Sequence, residues 1–319
     1  MNDKPRPQVA VLTPVFNEEA SLPLYEEAVR KTLLSRADCD FQIWFVDDGS
    51  TDRSWELILA ACGRDKRFHG LRLSRNFGSH TALTAGFEHA RGDAVTTLAC
   101  DLQDPPQTVL RFIEEWRGGA QIVWGHRRSR EDATWRAMAS RRFNALLRRF
   151  AMPKDSKFTT GSFLLVDRKV ADCFRRFTEH NRITFALVAW TGFRQAVVEY
   201  DRVERAAGAS KWTFTRMVKT MYDAFIGFSY LPIRLMTWLG LTTFLLSIPY
   251  AAYIIFNWLF HDDPMRGWTS MMLVMTFFFG LQFLLMGLVG EYLYRIYSEI
   301  TGRPLYFVMD AAGVEDDAS

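Results

Sequence analysis

Over its first half the chain alternates short apolar runs with stretches of helical periodicity. "VAVLTPVF" (9–16) has the content of a strand, and "SLPLYEEAVRKTLLSR" (21–36) follows as a helix opened by Ser21 with Pro23 in its first turn. "FQIWFVDDGS" (41–50) predicts the next strand, and Thr51 to about Cys62 the next helix. "HGLRLS" (69–74) and "DAVTTLAC" (93–100) predict two more strands, on either side of a helix around Ala82–Arg91. Alternation of this kind predicts a three-layer α/β domain with a mainly parallel sheet.

The pattern changes towards the C-terminus. Leu235–Phe260 and Trp268–Gly290 carry no charged residue. Each exceeds the roughly 20 apolar residues that span a bilayer as a helix. Only "HDDPMRG" (261–267) separates them, which predicts a transmembrane hairpin. Ahead of it, "WTFTRMVKTMYDAFIGFSYLP" (212–232) places apolar residues at 214, 217, 218, 221, 222, 225 and 228, with Arg216 and Lys219 on the other side. That spacing predicts an amphipathic helix lying at the membrane interface. The expected organisation is therefore a cytoplasmic domain over 1–210, an interfacial helix over 211–234, spans over 235–260 and 268–290, and a tail over 291–319.

Charge orients this arrangement. Arg216, Lys219 and Arg234 precede the first span, Arg295 and Arg303 follow the second, and the loop between them holds one Arg against two Asp. Basic residues gather on the cytoplasmic side. Both termini are thus expected in the cytoplasm, with the chain crossing the membrane twice. The four cysteines (Cys39, Cys62, Cys100, Cys173) form no C-x-x-C pair, as expected of reduced thiols facing the cytosol. "MNDKPRPQ" at the N-terminus is too polar for a signal peptide.

The net charge of +3 hides a basic concentration: "RRSREDATWRAMASRRFNALLRR" (127–149) holds eight Arg against Glu131 and Asp132. It lacks an aromatic stacking platform, so anionic lipid headgroups suit it better than nucleic acid, and no nucleic-acid partner is expected. No G-x-G-x-x-G and no G-x-x-x-x-G-K-[ST] follows the strands, which disfavours a dinucleotide fold and a P-loop.

Polar residues collect at the predicted strand ends: "TPVFNEE", "VDDGSTD", "SRNFG" and "CDLQDPP". Asp-Gly and Gly-Ser are ordinary turn chemistry, yet open α/β sheets also bind ligands at the carboxyl ends of their strands. Asp101 and Gln103 alternate with Leu102 and share one face of an extended segment. Their oxygens suit a hard cation such as Mg²⁺ or Mn²⁺, with a diphosphate supplying the remaining donors.

Taken in order, PVFNE, VDDGS, RNFG and DLQDPP, with two C-terminal spans and the ending "GEYLYRIYSEITGRPLY", resemble a family-2 glycosyltransferase of GT-A fold. The likeness is to bacterial polyprenyl-phosphate glycosyltransferases and dolichyl-phosphate mannose synthases, and it runs along nearly the whole chain. By that resemblance Pro14, Phe16 and Glu18 border the nucleoside, and Asp47 or Asp48 reads the base and ribose. Asp101 and Gln103 carry the metal, the diphosphate and the catalytic role. Arg127, Arg136, Ser140 and, in "RAAGASK", Arg205 contact the acceptor phosphate.

Two positions depart from the family pattern. Ala99 stands where relatives often have a further Asp, and Ser162 and Leu164 stand where they often have Asp and Arg. The implied activity is inverting transfer of one sugar, glucose from UDP-glucose by default, to undecaprenyl phosphate on the cytoplasmic face. N-acetylhexosamine, mannose and aminoarabinose are the other sugars in view. A processive polysaccharide synthase would carry Q-x-x-R-W and more spans, and a silent membrane scaffold is suggested only by Ala99 and Ser162. The resemblance also implies a homo-oligomer, a tetramer by that likeness, in contact with membrane lipid.

The basic-residue asymmetry makes the topology testable. A reporter fused after Ser319 is expected to read cytoplasmic, and a tag within residues 261–267 to be reachable from outside. Both on one side would overturn the hairpin.

Overall fold

The computed structural model describes residues 6–128, 163–179, 184–203, 231–260 and 267–314. The chain divides into two compact units, Met1–Thr220 with Pro304–Ser319, and Met221–Arg303.

In the first unit the strands are β1 (Gln8–Val15), β2 (Asp40–Asp47), β3 (Phe68–Leu73), β4 (Ala94–Thr97), β5 (Ile122–Arg127), β6 (Leu164–Asp167), β7 (Gln195–Tyr200) and β8 (Val308–Ala312). The helices are α1 (Leu22–Val29), α2 (Ser54–Arg64), α3 (Ser79–His89), α4 (Gln107–Arg117), α5 (Arg168–Phe174) and α6 (Thr184–Trp190). α1 runs on into a π-helical turn at Arg30–Leu34. The second unit holds α7 (Leu231–Phe260), which contains Pro249, and α8 (Trp268–Thr301).

The strands form one sheet in the order β7-β5-β6-β4-β1-β2-β3-β8. β4, β1, β2 and β3 run parallel, β5 and β7 are parallel to each other, and β6 and β8 are antiparallel to their neighbours. The mainly parallel α/β expectation is met. Parallel central strands need both faces covered, which is why β1 and β2 read as near-continuous apolar runs. Val9, Val11, Ile43, Phe45 and Phe68 are buried, with Trp55 and Ile58 of α2 packed in the same cluster. A second set of aromatics supports the other half: Phe112 lies 4.6 Å from Phe163, and Phe163 meets Tyr200 edge-on at 5.4 Å between ring centroids.

The region expected as a tail over 291–319 is different. Its first part continues α8 to Thr301, where Gly302 adopts the left-handed conformation (φ 59°) that commonly ends a helix. Val308–Ala312 then adds to the edge of β3 as an antiparallel strand. Ser74 N donates to Phe307 O at 2.9 Å, His69 Nδ1 bonds the Gly313 carbonyl, and Tyr306 hydroxyl donates to Glu88 Oε2 at 2.5 Å. An unpaired edge is a liability, and the returning chain satisfies its backbone groups.

Both predicted spans are helical. Among the described residues one stretch, Phe277–Thr301, is long and apolar enough to cross a membrane, and Trp238–Tyr250 forms a shorter apolar stretch. Of the predicted interfacial helix, residues 211–230 lie outside the described residues and the last four open α7.

The loop after β2 lies against the loop after β3. Gly49 has φ 69°, and a Cβ there would stand 2.5 Å from the Arg75 carbonyl carbon and 2.8 Å from Asn76 N. Backbone strain in that region costs about 1–3 kcal/mol for a residue other than Gly, before any clash. Gly49→Ala is expected to lower the unfolding temperature by several degrees in a thermal melt. An unchanged melting temperature would refute the close approach.

Candidate functional site

The register brings the carboxyl ends of the parallel strands together, with Val15 opposite Asp47 and Asp47 opposite Arg72. Beyond them, the loops after β1 and β2 are tied by side-chain bonds. Asn17 N donates to Ser50 Oγ at 2.9 Å, Thr51 N to Asn17 Oδ1 at 2.8 Å, and Glu18 N to Ser54 Oγ at 2.9 Å. Glu19 N reaches Asp52 Oδ2 and Arg53 N reaches Glu19 Oε2, both at 3.2 Å. Asn17 takes φ 52°, a conformation that Asn tolerates better than most residues.

Both acids of "VDDGS" point into the protein. Asp47 is 0% exposed: its Oδ1 accepts from Ser50 N at 3.0 Å, and its Oδ2 faces Arg72 Nε at 3.4 Å. Asp48 is 3% exposed and accepts from Phe77 N at 2.7 Å through Oδ1 and from Gly78 N at 2.9 Å through Oδ2. It thereby holds the "RNFG" loop. Burial pushes the Asp48 carboxyl up to about 6, against the pull of its two N–H donors, and the neighbouring Asp47 adds to the rise. Burial raises Asp47 too, opposed by Ser50 and Arg72.

Pro14 lies near the end of β1 opposite Val46, and it, Phe16 and Glu18 are half-buried. Glu18 Oε2 accepts from Ser21 Oγ at 2.9 Å. Glu18 and Asp101 both act electrostatically on the Cys100 thiol, which burial holds well above its ordinary range. The loops after β1 and β4 leave adjacent parallel strands.

In the loop after β4, Asp101 is 8% exposed and its Oδ1 accepts from Gln103 N at 3.2 Å. Leu102 between them takes φ 54°. Carboxylate and amide oxygens are the right donors for Mg²⁺ or Mn²⁺. Among the described residues no group of three or more His, Cys, Asp or Glu is placed to cage a metal ion, and the half-buried Ala99 adds no oxygen from its side chain. The donor set fits a cation shared with a diphosphate.

Of the expected acceptor contacts, Arg127 ends β5 opposite Tyr200 and is exposed, within electrostatic reach of Asp104. Arg136, Ser140 and Arg205 lie outside the described residues, as does Ser162. Leu164 is fully buried in the sheet, paired with Trp124. The structure adds groups that sequence reading did not single out: Asn17, Ser50 and Ser54, which tie the loops, and Asp104, which accepts from the Tyr200 hydroxyl at 2.6 Å. Asp104 lies inside a motif already noted, but nothing in its spacing points to Tyr200.

The family model for glycosyl transferase family 2 matches residues 10–175, and the model for the GtrB C-terminal hairpin matches residues 231–296. The chain belongs to glycosyl transferase family 2. It is 36% identical over 311 residues to an uncharacterized glycosyltransferase, YkcC, of Bacillus subtilis, covering 97% of this chain and 95% of the relative. It is 33% identical over 302 residues to a prophage-derived bactoprenol glucosyl transferase of Shigella flexneri, covering 94% of this chain and 97% of the relative. Among solved structures, a mannosyltransferase of Pyrobaculum calidifontis aligns with a TM-score of 0.45 at 17% identity, covering 84% of each chain. Its mainly parallel sheet is the arrangement of a GT-A-like α/β fold.

The raised Asp48 carboxyl gives a pH signature. Folded, it binds a proton up to about 6; unfolded, only near its ordinary 3.8. Between those values the folded chain holds the extra proton, so stability from this group falls as pH rises through the window. Asp48→Asn does not titrate. The melting temperature of the natural protein minus that of Asp48→Asn is therefore expected to increase when pH is lowered from about 7 to about 5. A pH-independent difference would show that Asp48 titrates normally.

Proposed function

We propose that this glycosyltransferase moves a single glucose from UDP-glucose to undecaprenyl phosphate at the cytoplasmic membrane face, inverting the anomeric centre and supplying lipid-linked sugar to the cell envelope. The observation that carries this reading is the likeness to a bactoprenol glucosyl transferase along 94% of this chain. The match of residues 231–296 to the GtrB C-terminal hairpin supports two membrane spans and a lipid acceptor.

In this reading Pro14, Phe16 and Glu18 border the nucleoside. Asp47 and Asp48 are both buried, at 0% and 3% exposure, and Asp48 is assigned to the base. Each of its oxygens has a second lone pair, so it can accept from a base N–H while keeping its hold on Phe77 and Gly78. Asp101 and Gln103 hold the diphosphate end together with Mg²⁺ or Mn²⁺. When bound there, the cation supplies Lewis-acid stabilisation of the departing diphosphate.

The acceptor needs little activation, because a lipid phosphate is already anionic near neutral pH. Its oxygen displaces the nucleoside diphosphate directly, in line with the bond that breaks, and no proton has to be removed. The buried apolar Leu164 and the loss of an acid at Ser162 are tolerable for that reason. What the site must supply is attraction between two anions. Arg127, Arg136, Ser140 and Arg205 are assigned that role, with arginine suited to bidentate phosphate contacts.

Purified protein assayed with undecaprenyl phosphate and a panel of nucleotide-sugars is expected to form undecaprenyl phosphoglucose from UDP-glucose with added Mg²⁺ or Mn²⁺. Asp101→Asn is expected to reduce turnover by about 100-fold or more, in line with loss of transition-state electrostatics. Undiminished turnover of that variant at saturating metal would remove Asp101 from the site. Turnover of a different nucleotide-sugar alone would reassign the donor.

A further inference from the structure

The loop that carries Asp101 and Gln103 does not hold its shape unaided. Leu102 sits at φ 54°, a backbone conformation unfavourable for a leucine. The Asp101 to Gln103 N bond is local and long, at 3.2 Å. Two further bonds reach the loop from the far side of the sheet. The Tyr200 hydroxyl donates to Asp104 Oδ1 at 2.6 Å, and Val203 N donates to the Gln103 carbonyl at 3.0 Å. Arg202 Nε stands 3.7 Å from the same Asp104 oxygen. Asp104 is 4% exposed and Tyr200 7%, so the first bond is shielded from water.

Tyr200 is itself rigidly placed. It pairs with Arg127 in the β5–β7 ladder, its carbonyl accepts from Arg128 N at 3.0 Å, and its ring packs edge-on against Phe163. β7 leads through Arg202 and Val203 into the "RAAGASK" stretch that holds Arg205. One contact region thus joins the diphosphate loop to the strand that continues towards the acceptor contacts.

We propose that Asp104 and Tyr200 are positioning residues, which with the Val203 N–H clamp the Asp101–Gln103 loop onto the end of β7 and set the two metal-facing oxygens in register. This rests on the assignment of Asp101 and Gln103 to the metal and diphosphate. The clamp accounts for how a site with Ala99 in place of a second acid keeps its remaining ligands preorganised. Fewer ligands place a greater demand on the geometry of those that stay.

The test is direct binding by the full-length protein in detergent. Mn²⁺ uptake is followed by electron paramagnetic resonance in the presence of UDP, and UDP binding by calorimetry with chelator present. Tyr200→Phe removes one hydroxyl, and Val203→Pro removes one N–H at a half-exposed position, so the proposal survives a folding failure of either one. Each variant is expected to weaken Mn²⁺ affinity by roughly 10-fold, the usual consequence of losing a hydrogen bond that holds an ionised or ligand-bearing group. UDP binding in chelator should stay within about twofold of the natural protein, because without the cation the Asp101 carboxylate has no attraction for a diphosphate and binding rests on the nucleoside contacts, which lie on other loops. Unchanged Mn²⁺ affinity in both variants overturns the clamp. An equal loss of Mn²⁺ and chelator-independent UDP binding also overturns it, because the residues would then support the fold generally. If the natural protein takes up no Mn²⁺ with UDP, the metal assignment fails first and the clamp with it.

Discussion

One buried carboxylate bridges two backbone N–H groups, and the loop after β3 is fixed to the end of β2 by that bridge. Asp48 ends no chain of salt bridges; its two oxygens face the N–H groups of Phe77 and Gly78. Without it, two backbone donors of that loop would be left unsatisfied, at about 1–3 kcal/mol each. The arrangement also carries a cost, since burial disfavours the charge that makes the bonds strong. A loop fixed by apolar packing would avoid that cost, but it would lose the two directed bonds that hold its backbone in place.

The same division runs through the domain. The middle of the sheet is held by Val, Ile and Phe packed on both faces, and the strand ends by hydrogen bonds among Asn17, Ser50, Ser54 and the acids. Core packing sets where the strand ends lie. The polar bonds then set which way each loop leaves, and they do so through residues in left-handed backbone at Asn17, Gly49 and Leu102. Such conformations persist where the surroundings over-determine them.

Much of this was legible in the sequence. The four strands from Val9 to Cys100 were readable because parallel central strands are apolar throughout, and the strand-end motifs stood out as polar residues following those runs. Asp101 and Gln103 were singled out as one face of an extended segment, but Leu102 at φ 54° puts that stretch in a turn, so a period of two does not describe it. Other features were not readable for physical reasons. Asp104 and Tyr200 are 96 residues apart, and a single tertiary contact leaves no periodicity. That both acids of "VDDGS" turn inward follows from where the "RNFG" loop lies, which local pattern does not encode. β8 was read as tail because five residues beyond a long helix carry little signal until β3 is seen to need a neighbour.

That last strand has a consequence for how the molecule is made. His69 of β3 and Gly313, just past β8, are bonded across 244 positions of sequence, with both long helices synthesised between them. Contacts of such separation form late, since the closing loop must be ordered first. Until β8 emerges the β3 edge lacks the strand that pairs with it, and the sheet closes only then. β8 therefore acts as the finishing step of a domain that began to fold some 240 residues earlier.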